Sequence, residues 1–237
     1  MRRRLIPVIM ALAALVLIAL FLDNSVFIIR DVRIVGDSGM DEIEVVRLAG
    51  VDLGGHMRAF DSAAITRNIE KTGMLKCVNV ATEMPSTVVI EVERRIGRMM
   101  TDYGGSIVYM DGDGYVMSVA RELPEGNNLY ITGLSPSNAA PGRRISADSR
   151  RIYAMCAVLA AIDKTGSGEY ISELNVEKVD SLYLFSRMGI QVMLGDSDDL
   201  ESKLVWAKYA LMDLESRGQV SGKLDVTGGN QADYSRD

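Results

Sequence analysis

Three arginines, Arg2, Arg3 and Arg4, stand directly before eighteen residues without a charge, residues 5–22, and water-soluble sequence follows from Asp23 onward. Eighteen residues in a helix reach about 27 Å, close to the roughly 30 Å hydrocarbon core of a bilayer. Arginines flanking a first apolar helix are retained in the cytoplasm, so residues 1–4 are expected as a cytoplasmic tail, 5–22 as a single transmembrane helix, and the rest as an exported part. A cleaved signal peptide is the competing reading. It would need a small-x-small site after the run, where Leu20, Phe21 and Leu22 stand instead. No cysteine follows closely enough for a lipid anchor.

Charge and residue scarcity narrow what the exported part can do. Without residues 1–22 it keeps 23 basic against 32 acidic residues, a net of −9. Such a surface does not suit nucleic acid or anionic headgroups. His56 is the one histidine, and Cys77 and Cys156 are the two cysteines. Histidine-dependent triads and Cys- or His-rich zinc sites are thereby nearly closed off, and the cysteines read as small apolar residues rather than a bridge. Neither a G-x-G-x-x-G string nor a Walker loop is present.

Two strings imitate sites. Gly36-Asp37-Ser38-Gly39 resembles the surroundings of a serine-protease nucleophile, but the histidine follows it instead of preceding it, and a turn into a helix fits better. Asp111-Gly112-Asp113-Gly114 suggests a calcium loop with Glu122 at its twelfth position. Val116 stands where the loop needs glycine, so the Asp-Gly pairs predict a hairpin turn between residues 107–110 and 115–119.

Along the chain, residues 27–35 read as a strand. Residues 40–50 read as a helix with Ile43, Val46 and Leu48 apolar, and a second helix opens at Asp61 with Ala64, Ile65 and Ile69 on one face. Two strands follow, 75–83 and 87–95; in the latter Val88, Ile90 and Val92 alternate with acids, giving one buried and one wet face. The order strand, helix, helix, strand, strand predicts a small α+β domain over 27–96. Residues 97–237 read as hairpins with two helices. Core spacing marks the first, 149–164, at Ile152, Met155, Leu159 and Ile162, and the second, 198–217, at Leu200, Leu204, Ala207, Leu211 and Leu214.

The element order of 27–96 resembles a POTRA domain. The string Val78-x-Val80-x4-Pro85-Ser86-Thr87-Val88-x-Ile90-x-Val92-Glu93-Arg94 is similar to the signature of the FtsQ/DivIB cell-division proteins, and Val32-x-Ile34-x-Gly36 to the string that opens their domain. Thr82 departs from the signature's arginine, and Ile96 and Arg98 from its closing Pro and Ala. Further similar strings are Leu129-Tyr130-Ile131-Thr132-Gly133, Val192-x-Leu194-Gly195 with Lys203-Leu204, and Leu224-Asp225-Val226.

The resemblance implies an α+β protein with a transmembrane helix, a POTRA-like domain and a mixed β domain with an antiparallel meander and two helices. It implies a non-enzymatic division scaffold at the septum, without cofactor or small-molecule substrate. Its partners would be FtsB (DivIC)-like and FtsL-like single-pass proteins and the septal wall synthase complex. A meander ending in a short strand leaves an open edge that can accept a partner's strand. Asn230, Gln231, Ala232, Asp233 and Tyr234 are the expected partner-binding residues, Tyr234 as aromatic anchor. Two other readings stay open: an anchored envelope hydrolase drawing on Asp102, Asp111, Asp113 and Glu122, and a POTRA-containing export factor, which would normally repeat the domain.

Overall fold

The computed structural model describes residues 10, 12–18, 21, 25–122 and 126–236. Half of the expected membrane span, 5–22, falls outside them. Among the described residues no helix is long and apolar enough to cross a membrane. Met10, Leu12, Leu15, Val16, Leu17, Ile18 and Phe21 are helical and at least half exposed. The chain divides into two compact units between Arg94 and Arg95.

The first unit holds β1 (Asp31–Val35), α1 (Glu42–Ala49), α2 (Ser62–Glu70), β2 (Leu75–Glu83) and β3 (Thr87–Arg94). Its sheet has the order β1-β3-β2, with β1 parallel and β2 antiparallel to β3. Each helix starts where a carboxylate satisfies an otherwise orphaned amide: Asp41 accepts from Ile43 N at 3.2 Å and Asp61 from Ala64 N at 3.0 Å. Val88, Ile90 and Val92 are fully buried against Val45, Ala49, Ile65 and Ile69. Each such side chain contributes about 1.5–3 kcal/mol of transfer free energy.

Two expectations for this unit are corrected. Ile43 is 78% exposed, and α1 buries Val45 and Ala49 instead. The chain before Asp31 does not extend the strand; Ile29 N donates to Gly55 O and Met57 N to Phe27 O, both at 2.8 Å. Phe27 and Ile29 thus satisfy their backbones on the α1–α2 loop, and β1 begins where pairing with Thr87 begins.

Among the described residues the second unit is built on nine strands: β4 (Gly97–Tyr103), β5 (Ser106–Asp111), β6 (Val116–Ala120), β7 (Leu129–Thr132), β8 (Ile171–Asn175), β9 (Leu182–Ser186), β10 (Gln191–Gly195), β11 (Lys223–Asp225) and β12 (Asp233–Ser235). The helix α3 (Ser149–Thr165) connects β7 to β8, and α4 (Leu200–Ser216) connects β10 to β11. The sheet order is β12-β11-β10-β9-β8-β7-β4-β5-β6. The antiparallel meander is therefore only partial: β4–β7, β7–β8 and β10–β11 pair in parallel. Parallel neighbours need a long crossover, and α3 and α4 supply two of them.

Register aligns one residue from each strand except β6 into an inward row, Val108, Thr101, Ile131, Leu174, Leu184, Val192, Leu224 and Tyr234. Met155, Leu159, Leu204 and Leu211 from the two helices join the same core. β4 has no counterpart among the strands expected from sequence. Its inward position Thr101 is polar, and it is accommodated because Oγ1 donates to Ile131 O at 2.9 Å.

Candidate partner-binding edge

The chain reverses between β11 and β12 through a turn that Asp225 organises. Its Oδ1 accepts from Thr227 N at 2.9 Å and Thr227 Oγ1 at 2.7 Å, and Gly229 N then donates to Val226 O at 3.0 Å. β12 returns antiparallel, with Lys223 opposite Ser235, Leu224 opposite Tyr234 and Asp225 opposite Asp233. Among the described residues no further strand follows it in the sheet, so one side of β12 is an edge.

The direction of the main-chain groups follows from the neighbouring ladder. Gln191 N donates to Gly222 O and Val226 N to Met193 O, so Gly222, Leu224 and Val226 face β10. Lys223 and Asp225 alternate with these and face β12, where they pair with Ser235 and Asp233. Tyr234 alternates in turn, so its own N–H and C=O point to the open side. Among the described residues no main-chain hydrogen bond reaches them there.

The five expected residues are thus brought together, in unequal roles. Asp233 and Tyr234 lie on the strand, while Asn230, Gln231 and Ala232 lead into it. Asn230, Gln231 and Asp233 are exposed, and Gln231 Nε2 donates to Asp233 Oδ2 at 2.7 Å. The Tyr234 side chain turns inward: it is half-buried on the core, and its hydroxyl donates to Ser221 O at 2.6 Å. Gly222 lies beneath the ring; a Cβ there would stand 2.8 Å from Tyr234 Cε2 and 2.6 Å from Ser235 O. Ser221, Gly222 and Ser235 belong to this edge and were not expected from the sequence. The glycine immediately before β11 was the available signal, since it marks close backbone approach.

Other sheet edges carry local shields. Glu42 accepts from Ile34 N on β1 and Glu70 from Cys77 N on β2, and Val116 on β6 exchanges bonds with Arg143 O and Gly142 N.

The imitation sites resolve into structural parts. Asp37 Oδ1 accepts from Gly39 N at 3.1 Å, closing a turn, and His56 Nδ1 accepts from Arg58 N at 3.1 Å. Asp111 is buried: Oδ1 accepts from Asp113 N and Tyr115 N, and Oδ2 is paired with the buried Arg95 guanidinium, which stacks 4.2 Å from the Tyr115 ring centroid. Asp102 accepts from the Tyr130 hydroxyl at 2.7 Å. Burial, reinforced by this bond, pushes the Tyr130 pKa up to about 12. Among the described residues no His, Cys, Asp and Glu cluster is arranged to hold a metal ion. Cys77 and Cys156 are free thiols, and burial raises the pKa of each.

Residues 27–95 match the FtsQ-type POTRA domain. Across most of its length the chain is similar to the cell division protein DivIB of Clostridium tetani, with 20% identity over 90% of this chain and 80% of that protein. The DivIB of Clostridium acetobutylicum is 21% identical over 80% and 75%. The cell division protein FtsQ of Anaeromyxobacter sp. (strain K) is 26% identical over 87% and 69%.

Proposed function

Because this chain belongs to the FtsQ/DivIB family of cell-division proteins, we propose that it is a membrane-anchored divisome scaffold that captures an extracytoplasmic partner by strand addition at β12. The partners are single-pass division proteins of the FtsB/DivIC and FtsL kind, and through them the septal wall synthase complex. Residues 5–22 are the anchor, with Arg2, Arg3 and Arg4 on the cytoplasmic side. The exposed apolar positions from Met10 to Phe21 support that role, because such surface is stable only when lipid or another apolar surface covers it.

The observation that carries the edge reading is the outward Tyr234 N–H and C=O on the last strand of a nine-stranded sheet. A partner strand there would gain main-chain bonds, with specificity from alternate side chains. Asn230, Gln231 and Asp233 are the side chains it would meet first.

Deleting 229–237 in the full-length protein tests the reading by capture of the FtsB/DivIC-like partner from membranes. Loss of capture is expected; unchanged capture would sink strand addition. A fluorescent fusion of the intact chain is expected at midcell, and a uniform distribution along the cell would count against the division role.

A further inference from the structure

The turn that delivers β12 rests on the loop between β10 and α4, which carries three uncommon features. Lys203 is 3% exposed, and its ammonium donates to Asp196 Oδ1 at 2.8 Å and Asp196 O at 3.2 Å. Asp196 Oδ1 also accepts from Asp198 N. Asp199, at the start of α4, adopts a left-handed φ of 51° and caps no amide with its side chain. The turn bears on both ends of this loop. Thr227 Cγ2 lies 3.2 Å from where a Cβ on Gly195 would be, and the Cβ position of Gly229 is 3.0 Å from Asp199 Oδ2 and 3.9 Å from Lys203 Cγ.

A buried ammonium, a left-handed aspartate and a spare capping carboxylate each cost stability. They converge beneath one turn, and that turn leads into β12. We propose that Lys203 is a positioning residue for the partner edge: clamped to Asp196, it fixes the loop on which residues 227–229 sit and so holds β12 in register before a partner arrives. This rests on the strand-addition reading for its purpose, though not for its mechanics. Pre-formed strand geometry raises affinity by lowering the ordering cost of association.

Hydrogen exchange on the full-length protein in detergent tests the clamp without any partner. Lys203→Met keeps the stem and removes the ammonium, and leaves Asp196 with a side chain 57% exposed to water. The heavy cost of removing one partner of a buried pair comes from the charge left stranded in the interior, and here the remaining charge stays in water, so the fold should persist. Amides of 229–236 are expected to exchange about tenfold faster, while α3 and β8 stay within about twofold of the parent. Unchanged exchange in 229–236, or equal acceleration everywhere, overturns the proposal. Should the lysine variant not fold, Gly229→Ala approaches the same contact from the turn, with the same expected and overturning results. A clamp that behaves as described in a protein that captures no partner would overturn the edge reading alone.

Discussion

The ring of Tyr234 lies across Gly222 so closely that a Cβ on the glycine would stand 2.8 Å from the ring. An aromatic residue expected to anchor a partner docks on its own sheet, so the proposed strand addition would rely on the main chain. Gly222→Ala, at a backbone φ of 122°, should therefore displace β12 rather than simply crowd it. Partner capture is expected to fall at least about tenfold with little change in the unfolding of the rest of the domain. Tyr234→Phe, which keeps the ring and loses the bond to Ser221 O, should cost only about 1 kcal/mol of strand docking. Capture titrations of both variants check the ordering, and a stronger effect from the phenylalanine would contradict it.

Arg95 and Asp111 form a buried pair, so removing one partner strands a charge in the interior. Arg95→Met is expected to destabilise the second unit by about 3–5 kcal/mol. In a unit of this size that lowers its Tm by roughly 10 °C. Calorimetry on the full chain would read it. Arg95→Lys should fall between, because an ammonium keeps the charge and loses the planar stack on Tyr115. A shift of the same size in Arg95→Lys would show that the stacking carries the effect.

Asp196 has its pKa lowered by the bond from Lys203, with the Asp198 amide adding to it. A carboxylate depressed in the folded state stabilises fully above its unfolded value, about 3.9, and loses that contribution as pH falls through the lower folded value. Asp196→Asn should therefore lower the Tm relative to the parent at pH 6, and the two should converge once pH has fallen through the lowered folded value. A gap that persists in acid would exclude the charge as its source.

Both thiols are raised by burial, which leaves less thiolate at a given pH. In the native protein at pH 8 iodoacetamide should label Cys77 and Cys156 more slowly than a free cysteine peptide. In denaturant without reductant both should label completely, as mass spectrometry would show; one or neither would mean a bridge.

Periodicity in the sequence located the buried faces wherever apolar residues alone made the contact. Val88, Ile90 and Val92, the four positions expected on α3 and the five on α4 are all buried. It failed where the chemistry of the contact was mixed. The inward Thr101 concealed β4, and in Glu42-Ile43-Glu44-Val45-Val46 the apolar residues permit two faces, of which packing on the sheet selects Val45. Strand direction was out of reach for another reason: a crossover helix looks the same whether it joins neighbours or distant strands. The position of Tyr234 at the edge was legible from its place in the chain, whereas its inward side chain depended on Gly222 and a register no local pattern encodes.

The parallel pairing of β10 with β11 makes the proposed edge a dependent one. β12 hydrogen-bonds only to β11 in the sheet order, and β11 lies beside β10 by way of the α4 crossover. Without those two strands the border of the sheet would be β10, with Gln191 and Met193 facing outward in place of Tyr234. A partner strand that recognises β12 would therefore also report that α4 and β11 are in place.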